Sequence, residues 1–446
     1  MKTALQIVDQ IRSLKLDVDE INAYNHLAVF LGFMIEQELV DPDLLSTLQD
    51  KYGDLRFVDL RNVIRDDLGS DLNADMFTDE GAEFFNYYVA EGSSGPNLYE
   101  DLNLFALECF GDYEKAYHKY HGMPYLFIPY DEFIETANQY LEARFESFNG
   151  LEVIEDPHHE ELAEVFMEYI SPESKFILSV NDDDSIAAQF AYQNLKGKIE
   201  GFYPVLVAVE EELLERLIVQ SSPSTANDDV FHFNLEEVED SRRRFIDEAQ
   251  DMISSIDDIF GSLQEQREAE LNEEGLTLNE IRGNFDIAMD GGDPLDLINS
   301  TEFDSYWTGE NDTTAPLVLS NLKLEHPAHI LAHIPFGPYN DCPEPSMSVA
   351  IAHYFYEKYG ARVAVITSDC IEFTLDEPLE EDVAMQAAEE LFLFCPRALE
   401  QTQASNATIA DLAEYLTRAQ VWTCPFGLAS DDEYDPYADD ADFIEY

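Results

Sequence analysis

Tyr203-Pro204-Val205-Leu206-Val207-Ala208-Val209 decides the fold class. A short run this rich in β-branched residues reads as a strand, and so does Lys175-Phe176-Ile177-Leu178-Ser179-Val180 before it. Helical apolar spacing at 158–170 and 210–219 separates or follows the two runs, an α/β-type alternation. Working outward, Ile330 to Ile334 predicts a strand, 346–359 a helix, and 361–375 a hairpin with its turn near Ser368-Asp369. Helices are expected at 380–394 and 407–419.

The first 149 residues carry a different pattern. Leu27, Phe30, Leu31, Met34 and Ile35 recur at helical spacing until Asp41-Pro42. Thr78 and Asp79 are caps in front of Glu80-Gly81-Ala82-Glu83-Phe84-Phe85. From Asp101 to Phe148 apolar residues repeat every three or four positions, broken at Gly122-Met123-Pro124, and Asn149-Gly150 is a turn. The expected class is α+β: a mostly helical domain (1–149), then a mixed α/β domain in which 150–235 packs with 316–428. Residues 236–315, joining them, predict an acidic helical and irregular connection, with 23 acids and five bases from Glu236 to Asp312. Residues 429–446 predict an acidic disordered tail.

Charge excludes more than it names. Among 446 residues, 94 acids face 24 bases, a formal net charge of -70, while 45% apolar and 12% aromatic residues supply cores. Such a surface repels phosphate, and counterion release needs clustered Lys and Arg, so nucleic acid and anionic membrane are excluded as direct partners. A basic protein, a cation or a protein that itself binds nucleic acid fits better. A salt-adapted proteome is the competing account of the acidity. No apolar run of about 18 residues predicts a membrane span. The N-terminus lacks the apolar stretch of a signal peptide, and five dispersed cysteines argue against a disulfide framework. A cytoplasmic protein is expected; oligomeric state is not legible.

Chemistry-bearing motifs are few. His326, His329 and His333 are the nearest approach to a metal site, without the general base that H-E-x-x-H would supply. Asp286 to Leu297 starts like a calcium loop but has Ala288 and Leu297 where ligands are required. Cys342 could be a nucleophile with His333 or His353 as base, although Asp341 and Glu344 disfavour its thiolate. No phosphate-binding or nucleophile-elbow motif occurs. The sequence indicates no cofactor and a non-enzymatic role.

The segment Ile330-Leu331-Ala332-His333-Ile334-Pro335-Phe336-Gly337-Pro338-Tyr339-Asn340-Asp341-Cys342-Pro343 is followed by Tyr359-Gly360-Ala361, a hairpin, Phe394-Cys395-Pro396 and Val421-Trp422. This order resembles an uncharacterised bacterial domain family marked by a strand, phe-gly-x-trp-asn-x-cys-pro, a tyr-gly-ala helix end and a terminal aromatic strand. Tyr339 replaces the usual Trp, and Thr423-Cys424-Pro425-Phe426 replaces the usual ending. The N-terminal part resembles another small helical family of unknown function, through Phe30-Leu31-Gly32-Phe33-Met34-Ile35 and Asp79-Glu80-Gly81-Ala82-Glu83-Phe84. The resemblance implies a cytoplasmic immunity protein of a toxin–immunity locus, with no catalytic set to carry over.

The resulting expectation is a binding protein of immunity or inhibitor type that neutralises a basic partner such as a toxin. Phe336, Tyr339, Asn340 and Trp422 are candidate contacts, unless they pack the core. Asp431, Asp432 and Glu433 of the tail join them. Two alternatives remain: a DNA-mimic inhibitor of a DNA-binding protein, with acids spaced like phosphates, and a metal-dependent enzyme in which His326, His329 and His333 converge.

Overall fold

The computed structural model describes residues 3–426 apart from 90–96, 112, 152, 155, 182, 227, 229, 274, 286–301, 309–312, 339–341 and 403–406. Two compact units result: Met1–Glu155 with Ile177–Gly201 and Asp312–Thr314, and Asp156–Phe176 with Phe202–Asn311 and Ala315–Tyr446. The division differs from the expected one in two places. Segment 177–201, with its helix Asp183–Glu200, belongs to the first unit, and the helices of the expected 236–315 connection belong to the body of the second. No helix among the described residues is long and apolar enough to cross a membrane.

The first unit is helical, as the 3.6-residue spacing predicts. Thr3 opens helix Ala4–Leu14 with a capping box to Gln6, and Thr78 caps Asp79–Tyr88 by accepting from Gly81 N at 3.2 Å. Asp41-Pro42 does more than end a helix: Asp41 caps the next one, Pro42–Tyr52, with Pro42 in its first turn. Phe30, Phe33 and Phe84 fill the centre, Phe84 meeting Phe145 edge-on at 5.0 Å. Asp101 is buried there, accepting from Tyr88 Oη at 2.7 Å and Arg144 Nε at 3.0 Å.

The second unit is built on a six-stranded mixed sheet, in the order Val421–Pro425, Cys370–Thr374, Arg362–Ile366, Tyr203–Ala208, Leu317–Leu322, Lys175–Ile177. The Tyr203 strand lies inside it, parallel to Arg362–Ile366 and antiparallel to Leu317–Leu322, with Leu206 opposite both Val365 and Leu319. Its residues 204–208 are all buried, which is why its apolar run does not alternate. The hairpin turns at Ser368-Asp369 as expected, closed by Cys370 N donating to Thr367 Oγ1 at 3.0 Å. Helices Pro157–Ile170, Glu211–Ser221, Pro345–Tyr359, Glu381–Phe394 and Ile409–Leu416 belong to the same unit, near their predicted positions.

Ile330 to Ile334 is not the expected strand. Pro327–His329 is a 3-10 turn running into a helical turn, Ile330–His333. Pro327 at the first helical position starts the turn rather than forbidding it, since its missing N–H would have no helical partner there. Gly360 ends helix Pro345–Tyr359 in the left-handed conformation at φ 78°, donating to the Phe355 and Tyr356 carbonyls. A buried carboxyl, Glu372, ties residues 304 and 305 to the sheet. It accepts from Asp304 N at 3.0 Å and from Ser305 Oγ at 2.7 Å, and Thr423 Oγ1 lies 3.2 Å away.

Candidate functional site

The acidic segment forms two helices, Leu235–Ile253 and Ile256–Glu273. Asn234 caps the first, its Oδ1 accepting from Glu236 N at 3.2 Å. Val238, Phe245, Ala249 and Leu263 are buried in the core of the second unit, so both helices are part of its architecture. Their outer residues are carboxylates: Glu236, Glu239, Asp240, Asp247, Glu248 and Asp251 on one, and Asp257, Asp258, Glu265, Glu268, Glu270 and Glu273 on the other, all exposed.

Two of the four arginines on these helices face inward. Arg242 is 7% exposed, and its Nη2 donates to the Tyr169 carbonyl at 2.6 Å. Arg267 is 2% exposed, with Nε donating to the Leu393 carbonyl at 3.4 Å. Each also holds one acid, Glu239 and Glu270, both at 2.6 Å. Arg243 and Arg244 are the exposed cations of the pair, and Arg243 pairs with Asp240. Exposed acids occur on the helical unit too, among them Asp9, Glu36, Asp43, Glu80 and Glu83. Beside Gln264, Glu268 and Asn272 opens a cleft of about 590 Å³, also lined by Asn279 and by Arg282, which pairs with Glu389 at 2.7 Å.

The three predicted histidines do not converge as a set. His326 caps its turn, Nδ1 accepting from Ala328 N at 3.2 Å, which leaves the proton of the neutral ring on Nε2. Nε2 faces Glu357 Oε1 at 3.3 Å. The ring stacks on His353 with centroids 4.0 Å apart and 16° between planes, and Tyr356 meets it edge-on at 5.0 Å. Burial, then His353, lowers the His326 pKa to about 4. His329 lies 5.8 Å from it, centroid to centroid, also lowered by burial. His333 turns into the protein, where burial, then the Arg242 charge, lowers it to about 3. The cluster that forms is therefore His326 with His353 and Glu357, whose donor atoms all lie within 4.8 Å of one another. The i,i+4 spacing of His353 and Glu357 was visible in the sequence, but it gains meaning only when the 326–329 turn lands beside that helix.

The predicted aromatic contacts are core residues. Phe336 is 1% and Trp422 0% exposed, so neither ring is presented to a partner. They join one aromatic column: Phe336 to Phe426 at 5.4 Å, Phe426 to Phe394 at 5.3 Å, Phe394 to Phe355 at 5.9 Å, and Phe355 to Trp422 at 5.9 Å. Gly337 follows at φ 84°, and a Cβ there would lie 2.2 Å from the Pro343 carbonyl oxygen. Cys342 is buried, its thiol donating to that oxygen at 3.6 Å. Tyr339, Asn340, Asp431, Asp432 and Glu433, like the stretch from Asp286 to Leu297, lie outside the described residues.

Two family models match this chain, both described as domains of unknown function: DUF4253 over residues 318–424 and DUF7832 over residues 8–119. The first spans the strands and helices from Val318 to Cys424 and every member of the aromatic column except Phe426. The second spans the start of the helical unit. No curated protein and no solved structure matches the chain.

Proposed function

We propose that this chain is a cytoplasmic, non-enzymatic binding protein of inhibitor or immunity type that neutralises a basic protein, such as a toxin. The observation that carries the reading is the outer face of helices Leu235–Ile253 and Ile256–Glu273, with twelve exposed carboxylates. Two of the local arginines are drawn inward onto backbone carbonyls. A face of one sign steers an oppositely charged partner and raises its association rate, most strongly at low salt. Helices packed on a core hold those charges in place, so little ordering entropy is lost on binding. The cleft beside Glu268 offers a recess for a basic side chain. The test is capture of partners from the native lysate on the tagged full-length chain, at low and high salt. A basic protein retained only at low salt supports the reading, and its own activity separates a toxin from a DNA-binding protein. Retention of nothing, or of partners indifferent to salt, refutes it.

A further inference from the structure

We propose that His326, His353 and Glu357 form a binding site for a divalent transition metal of borderline softness, with zinc as the representative ion. His353 and Glu357 stand four residues apart on helix Pro345–Tyr359, a spacing that puts both side chains on one face. The turn Pro327–His329 brings His326 to that face from the other side. The three donor atoms already lie within 4.8 Å of one another. Zinc with bonds of about 2.1 Å holds its donors about 3.4 Å apart, so a closure of one to two ångströms at most is needed, roughly a rotamer adjustment. Glu357 Oε1 is already 3.3 Å from His326 Nε2. The movement needed is in the imidazole stack, whose planes 16° apart do not aim their ring lone pairs at one point, so one ring must rotate out of the stack as the ion binds.

Two imidazoles and a carboxylate suit zinc, cobalt, nickel or copper, whereas magnesium and calcium prefer oxygen donors throughout. Three protein ligands leave one tetrahedral position for water. Loading has a structural consequence. A metal on His326 Nε2 moves the ring proton to Nδ1, which can then no longer accept from Ala328 N. The cap of the 327–329 turn opens as the ion binds. The site is separate from the acidic face, its donors being His326, His353 and Glu357 and none of the twelve carboxylates of that face.

The experiment is a titration of the full-length chain with Zn²⁺, read by competition with a chromophoric chelator in excess Mg²⁺ that occupies the carboxylate surface. Co²⁺ absorption in the visible reports the coordination geometry. The wild type is expected to bind one equivalent that Mg²⁺ does not displace. His353→Ala and Glu357→Gln should each weaken it by at least about tenfold, the loss that even outer-shell changes bring. His159→Ala, on helix Pro157–Ile170 and not a member of the group, should leave it unchanged, and the Ala328 amide should lose hydrogen-exchange protection only in the loaded wild type. Glu357 is exposed, so its variant folds even if His353→Ala does not. Binding that Mg²⁺ abolishes, or that is equal in wild type and both variants, is adventitious and overturns the site.

Discussion

Arg242 and Tyr169 are joined twice: Arg242 Nη2 donates to the Tyr169 carbonyl at 2.6 Å, and the guanidinium carbon sits 5.1 Å from the Tyr169 ring centroid. Arg242 thereby holds helix Leu235–Ile253 against helix Pro157–Ile170 and offsets only Glu239 of the acidic face. Replacing it with Met keeps much of the bulk but leaves a buried carbonyl without its donor. The expected cost is about 1–3 kcal/mol, read by denaturant unfolding. The same substitution removes a charge that lowers His333, so the pKa of His333 should rise, read by NMR titration.

Within the helical unit, Asp101 and Arg144 have side chains only 7% and 10% exposed. Truncating one partner strands the other charge in the interior. Asp101→Ala should therefore destabilise this unit by about 3–5 kcal/mol, far more than Asp54→Ala, whose pair with Arg56 is on the surface. Thermal unfolding of the two variants checks the contrast.

Glu372 gives a pH signature of unusual sign. Burial raises its pKa from the ordinary 4.5 to about 7 in the folded protein. Between those values the folded state holds a proton that the unfolded state has lost. The contribution of Glu372 to stability is thus fully present below about pH 4.5 and is lost as pH rises through about 7. The stability advantage of wild type over Glu372→Gln should shrink across that window, by a few kcal/mol in all at about 1.4 kcal/mol per unit. An advantage that grows with pH would contradict the burial argument.

Gly337→Ala should destabilise the second unit by more than the roughly 1–2 kcal/mol of left-handed strain alone, because the new methyl meets the Pro343 oxygen at 2.2 Å. Gly360→Ala meets no atom within 4 Å and should incur strain only. Paired unfolding measurements on the two variants separate clash from strain.

Much of this architecture was legible in the sequence. The 203–209 run and the 361–375 hairpin announce the sheet, and helical spacing announces the helices around 27–35, 79–85, 158–170, 210–219, 346–359, 380–394 and 407–419, but not Ala4–Leu14, Leu60–Asp67 or Asp183–Glu200. Other features were not legible either. Ile330 to Ile334 reads as a strand, whereas only the cap at His326 shows Pro327 to open a helical turn there. Helices 235–253 and 256–273 show an apolar face in the sequence at Ile253, Ile256, Ile259, Phe260 and Leu263, but their charge makes them read as a solvated connection and hides the burial of Val238, Phe245 and Ala249 in the core. Phe336 and Trp422 raised both a surface and a core reading, and only tertiary packing places them in the aromatic column. The partner of His326 comes from a helix some 27 residues further on (353 − 326), a distance that spacing rules for metal motifs do not span.

The most direct test of the central claim compares the wild type with a face-neutralised variant carrying Asp247→Asn, Asp251→Asn, Asp257→Asn, Asp258→Asn, Glu265→Gln and Glu268→Gln. Both are used to capture partners from the native lysate, with folding verified by circular dichroism. The account predicts that a basic protein held by the wild type at low salt is lost from the variant. Equal retention by the two proteins would contradict it.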